Sequence, residues 1–348
     1  MTTVTDAALD PRRALLEEWL RQQLGCAPLE LAPASVDASF RRYFRARDRT
    51  RSYIVMDAPP DRENVGPYMA VAAALAAIGL SVPEVLAADR AQGLLLLTDL
   101  GSTSYLAALT AGADADRLYH DATAALLTLQ LYGGPAAAAL PPYDAAALAR
   151  EVQLFPEWFL GRHLGLLPGA AEQALIGVLC ARLSAAALEQ PQVFVHRDYH
   201  SRNLMLLPER NPGILDFQDA LRGALSYDLV SLFKDCYIIW PRERVLGWLG
   251  AYRERARAAG LGIPGDAADF VRWFDLVGVQ RHLKVLGIFA RLWYRDGKRG
   301  YLGDLPAVLD YLRAICADYD ELAELGRYLR EAVAPRFDAA QARALALA

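Results

Sequence analysis

The residues best suited to chemistry lie in two short segments, 196–203 and 215–218. The first reads His-Arg-Asp-Tyr-His-Ser-Arg-Asn and the second Leu-Asp-Phe-Gln. Asp198 and Asn203 are five positions apart, close enough for a loop to return on itself and turn both side chains to one cleft. Asn203 and Asp216 offer the hard oxygen ligands that Mg²⁺ prefers. Asp198 would accept a hydroxyl proton, and this division of roles is the one that phosphoryl transfer needs.

Short apolar stretches and polar loops surround these two segments, whereas most of the chain after residue 102 has a helical pattern. Ahead of residue 102, the hydrophobic periods predict helices over 11–25 and 65–79 and strands over 40–47, 51–57, 82–88 and 94–98. The order predicts an α+β fold with a β-rich N-terminal part over 1–97, a connector at 98–101 and a mostly helical C-terminal part over 102–348.

Composition and charge narrow the class of protein. The 348 residues carry 37 Lys and Arg against 41 Asp and Glu, a formal net charge of −4 that argues against general nucleic-acid binding. The four cysteines are far apart and form no disulfide or zinc pattern: Cys26, Cys180, Cys236 and Cys316. No signal peptide and no stretch of ~18 apolar residues is evident. We therefore expect a cytoplasmic protein without a membrane, nucleic-acid or obligate protein partner.

The order His-Arg-Asp, Asn and Asp-Phe resembles the protein-kinase signature, with Gln218 in place of Gly. The form HxDxHxxN…DF is more similar to the aminoglycoside phosphotransferase and choline kinase family of small-molecule kinases. Thr98-Asp99-Leu100-Gly101 resembles that family's hinge, and Tyr227-Asp228-Leu229 resembles its helix-opening Asp. The resemblance implies a bilobal protein-kinase-like fold, ATP as phosphate donor, Mg²⁺ on Asn203 and Asp216, and Asp198 as catalytic residue.

A closer likeness extends over about residues 15–320. The stretches 37–45, 56–60 and 214–220 resemble the anomeric sugar kinases within this group. That resemblance implies phosphorylation of the C1 hydroxyl of N-acetylmuramate and N-acetylglucosamine in cell-wall recycling. Two alternatives stay open: a kinase of the same fold for a cationic antibiotic or an amino alcohol, and a nucleotide-binding pseudokinase.

One departure from the kinase pattern concerns the phosphate site. Met56 stands where kinase sequences of the VAIK type have lysine, and the predicted helix over 67–78 carries no Glu to pair with such a lysine. The glycine-rich loop is replaced by Ser-Phe-Arg-Arg at 39–42. Arginine can bind phosphate through two hydrogen bonds. We therefore expect one of three arginines to compensate the phosphate charge: Arg41, Arg42 or Arg45.

The nucleotide base needs a flat apolar slot that offers backbone hydrogen bonds. Val55 and Leu97 are predicted to form its roof and wall, and Met205 and Leu215 its floor. The hinge residues Thr98, Asp99 and Leu100 complete the predicted nucleotide site. Around the catalytic loop, three residues are predicted to have supporting roles: His196, Arg197 and His200.

The acceptor site is predicted on the C-terminal helices. Within 280–299, Arg281, Lys284, Arg291 and Arg295 lie roughly opposite an apolar helical face, and this geometry favours a solvated basic face. The alternative is a wall that binds an anionic substrate such as N-acetylmuramate through its lactyl carboxylate. Four further residues are candidates for lining a sugar site: His282, Phe289, Glu151 and Trp240.

Overall fold

The computed structural model describes residues 10–25, 30–36, 40–48 and 51–346. The chain divides into two compact units, Met1–Thr103 with Met205–Gln218 and Ser104–Leu204 with Asp219–Ala348. The division falls close to the hinge predicted at 98–101, and the segment around Asp216 joins the first unit. The predictions that concern Cys26, residues 37–39 and the turn at 49–50 lie outside the described residues.

The first unit is built on an antiparallel sheet of five strands in the order β1-β2-β3-β5-β4. Its strands are β1 (Glu30–Val36), β2 (Arg42–Arg47), β3 (Ser52–Asp57), β4 (Val85–Asp89) and β5 (Leu94–Thr98), and its helices are α1 (Pro11–Leu24) and α2 (Val65–Ala77). Four of the strands and both helices match the predicted elements to within a few residues. The edge strand β1 was not predicted.

Helix α1 begins and ends at strong local signals. The side chain of Asp10 accepts hydrogen bonds from the backbone N–H groups of Arg12 and Arg13, at 3.1 and 3.2 Å, and Gly25 ends the helix with a φ of 68°. The helix packs Leu16, Trp19 and Leu20 on one face of the sheet, against Phe44, Val55 and Leu96.

A buried carboxylate ties this helix to the sheet. Asp57, at the end of β3, is 0% exposed. It accepts hydrogen bonds from Arg12 Nε at 3.0 Å and from Arg42 Nε at 2.9 Å. A buried charge is tolerated when it is paired in this way. Asp57 therefore fixes both arginines in structural positions.

The second unit is mostly helical. Its helices are α3 (Tyr105–Thr110), α4 (Ala115–Tyr132), α5 (Gly134–Ala138), α6 (Ala145–Val152), α7 (Ala170–Leu188), α8 (Tyr227–Phe233), α9 (Arg242–Ala258), α10 (Ala267–Tyr294), α11 (Leu305–Asp318), α12 (Ala323–Tyr328) and α13 (Ala334–Ala346). Two π-helical segments, Phe155–His163 and Leu329–Val333, and two 3₁₀ segments, Arg299–Asp304 and Asp320–Leu322, complete the set.

Two short strand pairs flank the segments with candidate chemistry. Strand β6 (Gln192–Val195) pairs antiparallel with β9 (Leu221–Ala224), and the catalytic loop follows β6 directly. Strands β7 (Leu204–Met205) and β8 (Gly213–Ile214) form the other pair. Strands β6, β7 and β8 correspond to the apolar stretches that interrupt the helical pattern of the sequence, whereas β9 was not predicted.

Helix α10 lies at the centre of the second unit. It has 28 residues and a length of about 42 Å, and every residue from 274 to 287 is buried. It packs against α7, α8, α11 and the π-helical segment Phe155–His163. A side chain on Gly287 would collide with the backbone of Leu154, its Cβ lying 2.3 Å from the carbonyl carbon. Close neighbours therefore surround α10 along its middle turns.

Helix α7 is, among the described residues, the one helix long and apolar enough to cross a membrane by length and composition. It was not singled out in the sequence. Leu179 and Leu183 pack in the hydrophobic core of the second unit, while Val178 is exposed. The core helix of a folded domain passes the same test of length and composition.

Candidate active site

The loop that carries Asp198 is held at its start by one carboxylate. The backbone N–H groups of His196 and Arg197 donate to the two side-chain oxygens of Asp228, at 2.7 and 2.9 Å. Asp228 lies in the first turn of α8, and burial raises its pKa to about 7 although both donors act to lower it. Arg197 has a φ of 81°, a conformation that persists in a non-glycine residue only when the surroundings hold it. Asp228 therefore fixes the backbone immediately ahead of Asp198.

The rest of the loop turns back on itself. The N–H of His200 donates to the carbonyl of Asp198 at 3.0 Å, and the side-chain amide of Asn203 donates to the same oxygen at 3.0 Å. The N–H of Ser201 donates to a carboxylate oxygen of Asp235 at 3.0 Å. Asn203 thus returns to Asp198, as the spacing predicted. Asp235 is a second buried anchor that the sequence analysis missed, because it belongs to no motif.

The Asp198 carboxylate is half-buried and accepts no hydrogen bond from any residue that the structure describes. Burial raises its pKa, but His200, Lys284, Arg281 and Arg197 lower it, and the net shift is below the usual aspartate value. The group therefore stays ionised at neutral pH. An ionised carboxylate with accessible oxygens is what a proton acceptor requires.

The two loop histidines have packing roles. His196 is fully buried, and its ring contacts Tyr199 edge-on with centroids 5.5 Å apart. The ring of His200 packs edge-on against Tyr237 at 5.4 Å, and burial lowers its pKa. A packed His200 agrees with a supporting role in the loop.

A buried charge cluster lies beside the loop. Glu151 Oε1 pairs with the guanidinium of Arg197 and with Lys284 Nζ, the latter at 3.1 Å. Lys284 Nζ also donates to the hydroxyl of Tyr227 at 3.1 Å, and the hydroxyl of Tyr143 donates to Glu151 Oε2. Glu151 and Lys284 were predicted to bind substrate. In the structure Glu151 links Lys284 to Arg197, and the substrate-binding role of Glu151 and Lys284 stays a prediction.

The solvated basic face favoured for residues 280–299 is wrong for two of its cations. Arg281 is 8% exposed and Lys284 is 4% exposed. The interpretation holds for Arg295, which is exposed. A helical wheel shows which residues share a side of a helix, but not whether another element packs there. Because other elements pack around the middle of α10, its polar side is buried as well.

Two other candidates on α10 also lie in the core. Phe289 is 5% exposed and packs in the main hydrophobic cluster. His282 is 2% exposed, and its ring stacks on Tyr311 with centroids 4.9 Å apart. Both side chains are covered by protein, and their role in lining a sugar pocket stays a prediction.

Trp240 belongs to an aromatic cluster with Tyr119 and Trp248. Its indole N–H donates to the hydroxyl of Tyr119 at 2.8 Å, and the guanidinium of Arg244 lies over its ring at 4.7 Å. The side chain is half-buried. The arginine already covers one face of the indole, so sugar stacking on that face would require Arg244 to move.

In the first unit, Arg42 and Arg45 are engaged by carboxylates. Arg42 pairs with Asp57, as described above. Arg45 Nε donates to Asp99 at 2.7 Å, and its Nη2 donates to the carbonyl of Gly101 at 2.7 Å. Asp99 also accepts a hydrogen bond from the N–H of Gly101 at 3.0 Å. These hydrogen bonds connect Arg45 of β2 to the segment 98–101, which the sequence predicts as a hinge.

Arg41 lies near the segment that carries Asp216. Arg41 and Asp216 act in opposite senses on the hydroxyl of Tyr68, whose pKa burial raises well above the usual tyrosine value. The ring of Tyr68 packs on Phe217 with centroids 4.9 Å apart. The charge of Arg41, like that of Asp216, thus reaches the Tyr68 hydroxyl, and phosphate binding by Arg41 stays a prediction.

The strand register corrects one part of the predicted base slot. Ile54 pairs with Leu97 and Val55 pairs with Leu96, so Val55 lies on the face that packs against α1. Val55 and Leu97 therefore cannot line the same slot. Leu97 shares its face with Ile54 and Met56, the residue at the position of the missing lysine.

The remaining slot residues surround the hinge. Leu100 and Met205 meet at Gly213: a Cβ there would lie 3.0 Å from Leu100 Cδ1 and 3.2 Å from Met205 Cβ. The side-chain hydroxyl of Thr98 accepts a hydrogen bond from the N–H of Glu84 at 2.9 Å. Leu215 is half-buried, immediately before Asp216. Leu100 and Met205 thus both lie beside Gly213, and their contact with a nucleotide base stays a prediction.

The two candidate metal ligands suit a hard cation. The bond from Asn203 Nδ2 to the carbonyl of Asp198 does not use the amide oxygen, the atom that would bind a metal. Asp216 has a φ of 63° and accepts a hydrogen bond from Gln218 Nε2 at 2.6 Å on one oxygen. An amide and a carboxylate oxygen fit Mg²⁺, which takes few protein ligands. Among the described residues no cluster of three His, Cys, Asp or Glu side chains suggests a different metal.

Changing Arg41 to alanine is expected to raise the KM for ATP about tenfold or more, because a charged hydrogen bond to phosphate would be lost. Changing Arg42 to alanine is the matched control. It removes a partner of the buried Asp57 and should lower the unfolding midpoint with little effect on the KM for ATP. ATP titrations and thermal unfolding of both variants distinguish the two roles. A normal KM in the Arg41 variant would exclude that residue from the phosphate site.

Comparison with known proteins agrees with this geometry. The signature of the phosphotransferase enzyme family matches residues 30–263. An N-acetylmuramate/N-acetylglucosamine kinase of Pseudomonas aeruginosa is 52% identical over 87% of this chain and 88% of its own length. A kinase of the same description from Pseudomonas putida is 47% identical over 92% of this chain and 97% of its own.

Solved structures show the fold. The choline kinase LicA from Streptococcus pneumoniae superposes with a TM-score of 0.63 at 12% identity, covering 89% of this chain and 100% of that one. The predicted α+β kinase-like fold is confirmed. Because the family signature spans more than half of the chain and the relatives span most of it, the chain belongs to the phosphotransferase enzyme family.

Proposed function

We propose that this enzyme uses ATP to phosphorylate the anomeric C1 hydroxyl of N-acetylmuramate and N-acetylglucosamine, in the cytoplasmic recycling of cell-wall sugars. The observation that carries the proposal is the ionised, half-exposed Asp198 on a loop anchored by Asp228 and Asp235. The description of the Pseudomonas relatives supports the choice of sugars.

The proposed reaction assigns one step to Asp198. The sugar hydroxyl oxygen forms a bond to the γ-phosphorus of ATP while its proton passes to a carboxylate oxygen of Asp198. The bond from the γ-phosphorus to the bridging oxygen breaks, and ADP leaves with that electron pair. Because neighbouring cations keep the pKa of Asp198 low, the carboxylate is ready to hydrogen-bond and orient the hydroxyl.

Mg²⁺ is the proposed cofactor, held by the amide oxygen of Asn203 and the carboxylate of Asp216. When bound, it would neutralise phosphate charge during transfer. The other contributions come from side chains of the protein: Arg41 is proposed to bind phosphate oxygens, and Leu97, Leu100 and Met205 to contact the base.

The charges around Asp198 favour this acceptor class over a cationic one. Arg281, Lys284 and Arg197 all act on Asp198, and cations at such a position would repel an aminoglycoside or an amino alcohol. A neutral or anionic sugar carries no such penalty. A pseudokinase would bind nucleotide without transferring phosphate, so measured turnover distinguishes it from an enzyme.

The deciding experiment offers the purified enzyme ATP and, separately, N-acetylmuramate, N-acetylglucosamine, glucose, choline and kanamycin. ADP release and the position of the phosphate are followed by a coupled assay and ³¹P NMR. We expect turnover with the two N-acetylated sugars and a product phosphorylated at C1. Turnover with choline or kanamycin alone, or nucleotide binding without turnover, would contradict the proposal.

A further inference from the structure

Arg281 is a buried cation that has no hydrogen-bonding or ion-pair partner among the described residues. It is 8% exposed, and it makes no hydrogen bond and no ion pair within 4 Å with any residue in the described part of the chain. None of its nitrogen atoms is fully buried, so the accessible remainder of the residue includes the guanidinium. Removing an ionised group from water without a compensating partner is costly.

Each of the other buried lysines and arginines described in the same unit has at least one hydrogen-bonding or ion-pair partner. Lys234 pairs with Asp275 at 2.7 Å. Lys284, one helical turn from Arg281, pairs with Glu151 at 3.1 Å. Arg253 donates to the carbonyls of Pro264 and Gly265. Arg281 is therefore exceptional, and the reason for its retention has to be sought outside the folded chain itself.

The position of Arg281 points to the reacting end of the substrate. Its charge acts on Asp198 and Asp235, the proposed base and the anchor of the same loop. Its guanidinium carbon lies 5.7 Å from the ring centre of Tyr227, at the start of α8. A guanidinium beside the proposed proton acceptor is suited to binding an oxyanion through two parallel hydrogen bonds.

We propose that Arg281 binds an oxyanion of the substrate held at Asp198. The inference rests on the proposed function, which supplies two sources for that oxyanion: the carboxylate of N-acetylmuramate and the phosphoryl group in transfer. The carboxylate is the source we favour, because Arg281 belongs to the same compact unit as the proposed base for the sugar hydroxyl. Lys284 is not assigned this role, since its ammonium already pairs with Glu151 and donates to the hydroxyl of Tyr227.

The test compares Arg281→Met and Arg281→Lys with wild type on both sugars. With Met we expect the KM for N-acetylmuramate to rise about tenfold or more and the KM for N-acetylglucosamine to stay nearly unchanged. Lys keeps the charge but cannot form the bidentate contact, so it should restore activity only in part. Arg295→Met, an exposed cation at the end of the same helix, is the matched control and should match wild type on both sugars.

Thermal unfolding separates binding from a structural role. Met at this buried position breaks no hydrogen bond or ion pair within the described residues, so the unfolding midpoint should change little. Saturating N-acetylmuramate should raise the midpoint of wild type more than that of the Met variant. An equal loss of kcat on both sugars with the midpoint maintained would support the phosphoryl group as the source.

Three results would overturn the proposal. The first is no loss on either sugar with Met. The second is an equal loss accompanied by a lower midpoint, which would make Arg281 structural. The third is full activity with Lys, which would reduce its role to the field at Asp198. The activity of the wild type on both sugars is measured before that of the variants. If the wild type uses neither sugar, the proposed function itself is contradicted.

Discussion

Replacing Asp198 with asparagine is expected to lower kcat by about 10²–10⁴ and to leave ATP binding nearly intact, because that is the usual contribution of a positioned proton acceptor. Asparagine keeps the size and polarity of the side chain but cannot take the proton of the sugar hydroxyl. The carboxylate accepts no hydrogen bond from the described residues, so the substitution breaks no contact within them.

The charges around Asp198 sharpen this expectation. Three permanent cations, Arg197, Arg281 and Lys284, act on the carboxylate. Without its negative charge they repel one another more strongly, so some loss of stability should accompany the loss of turnover. The unfolding midpoint of the variant therefore has to be measured beside its kinetics.

Single-turnover kinetics and calorimetry with ATP provide the measurement. Asp310→Asn serves as the control, because that carboxylate is exposed and pairs only with Arg313 on the same helix. Retention of more than half of the wild-type kcat by the Asp198 variant would remove it from the role of proton acceptor. Loss of ATP binding to the same degree would indicate collapse of the loop.

The sequence predicts well those contacts of the site that join residues close to each other along the chain. The contact between Asn203 and Asp198 needs only a short turn and a side-chain amide that donates to a backbone carbonyl. The anchor at Asp228 is recognisable because the helix it opens follows the Asp-Phe pair closely. Asp235 could not be recognised in this way, since its bond to Ser201 depends on how α8 packs and on no local pattern.

The polar side of α10 shows what periodicity leaves out. Lys284 was placed on a solvated face because the helical wheel contains no information about other elements. In the structure it is buried against Glu151 of α6, a residue distant in sequence. A buried cation is stable only with such a partner, and the partner becomes known only from the tertiary fold.

Two errors in the first unit have simpler causes. Strand β1 contains Pro33, which argues against a central strand but is tolerated at the edge of a sheet, where β1 lies next to a register shift. Val55 was assigned to the base slot although alternation along β3 already separates it from Met56. Met56, at the position of the kinase lysine, and Ile54, two residues earlier, lie on the opposite face of β3 from Val55. They were the better candidates for the side of the sheet that is predicted to contact the nucleotide.

Replacing Asp216 with alanine is the change we expect to abolish Mg²⁺-dependent nucleotide binding. The carboxylate is proposed to bind the metal that neutralises the β- and γ-phosphates, and Asn203 to bind it as well. Even residues that only support metal ligands contribute about 10–100-fold to metal affinity, so loss of a ligand should weaken MgATP binding at least to that extent. The Asp198 variant should retain this binding, which makes the two acids distinguishable in one titration series.

Calorimetry with and without Mg²⁺ is the measurement. The control is Asp61→Ala, which removes a carboxylate with 75% side-chain exposure from the same unit. Weaker binding only when Mg²⁺ is present would assign Asp216 to the metal, whereas unchanged MgATP affinity would exclude it from the metal site.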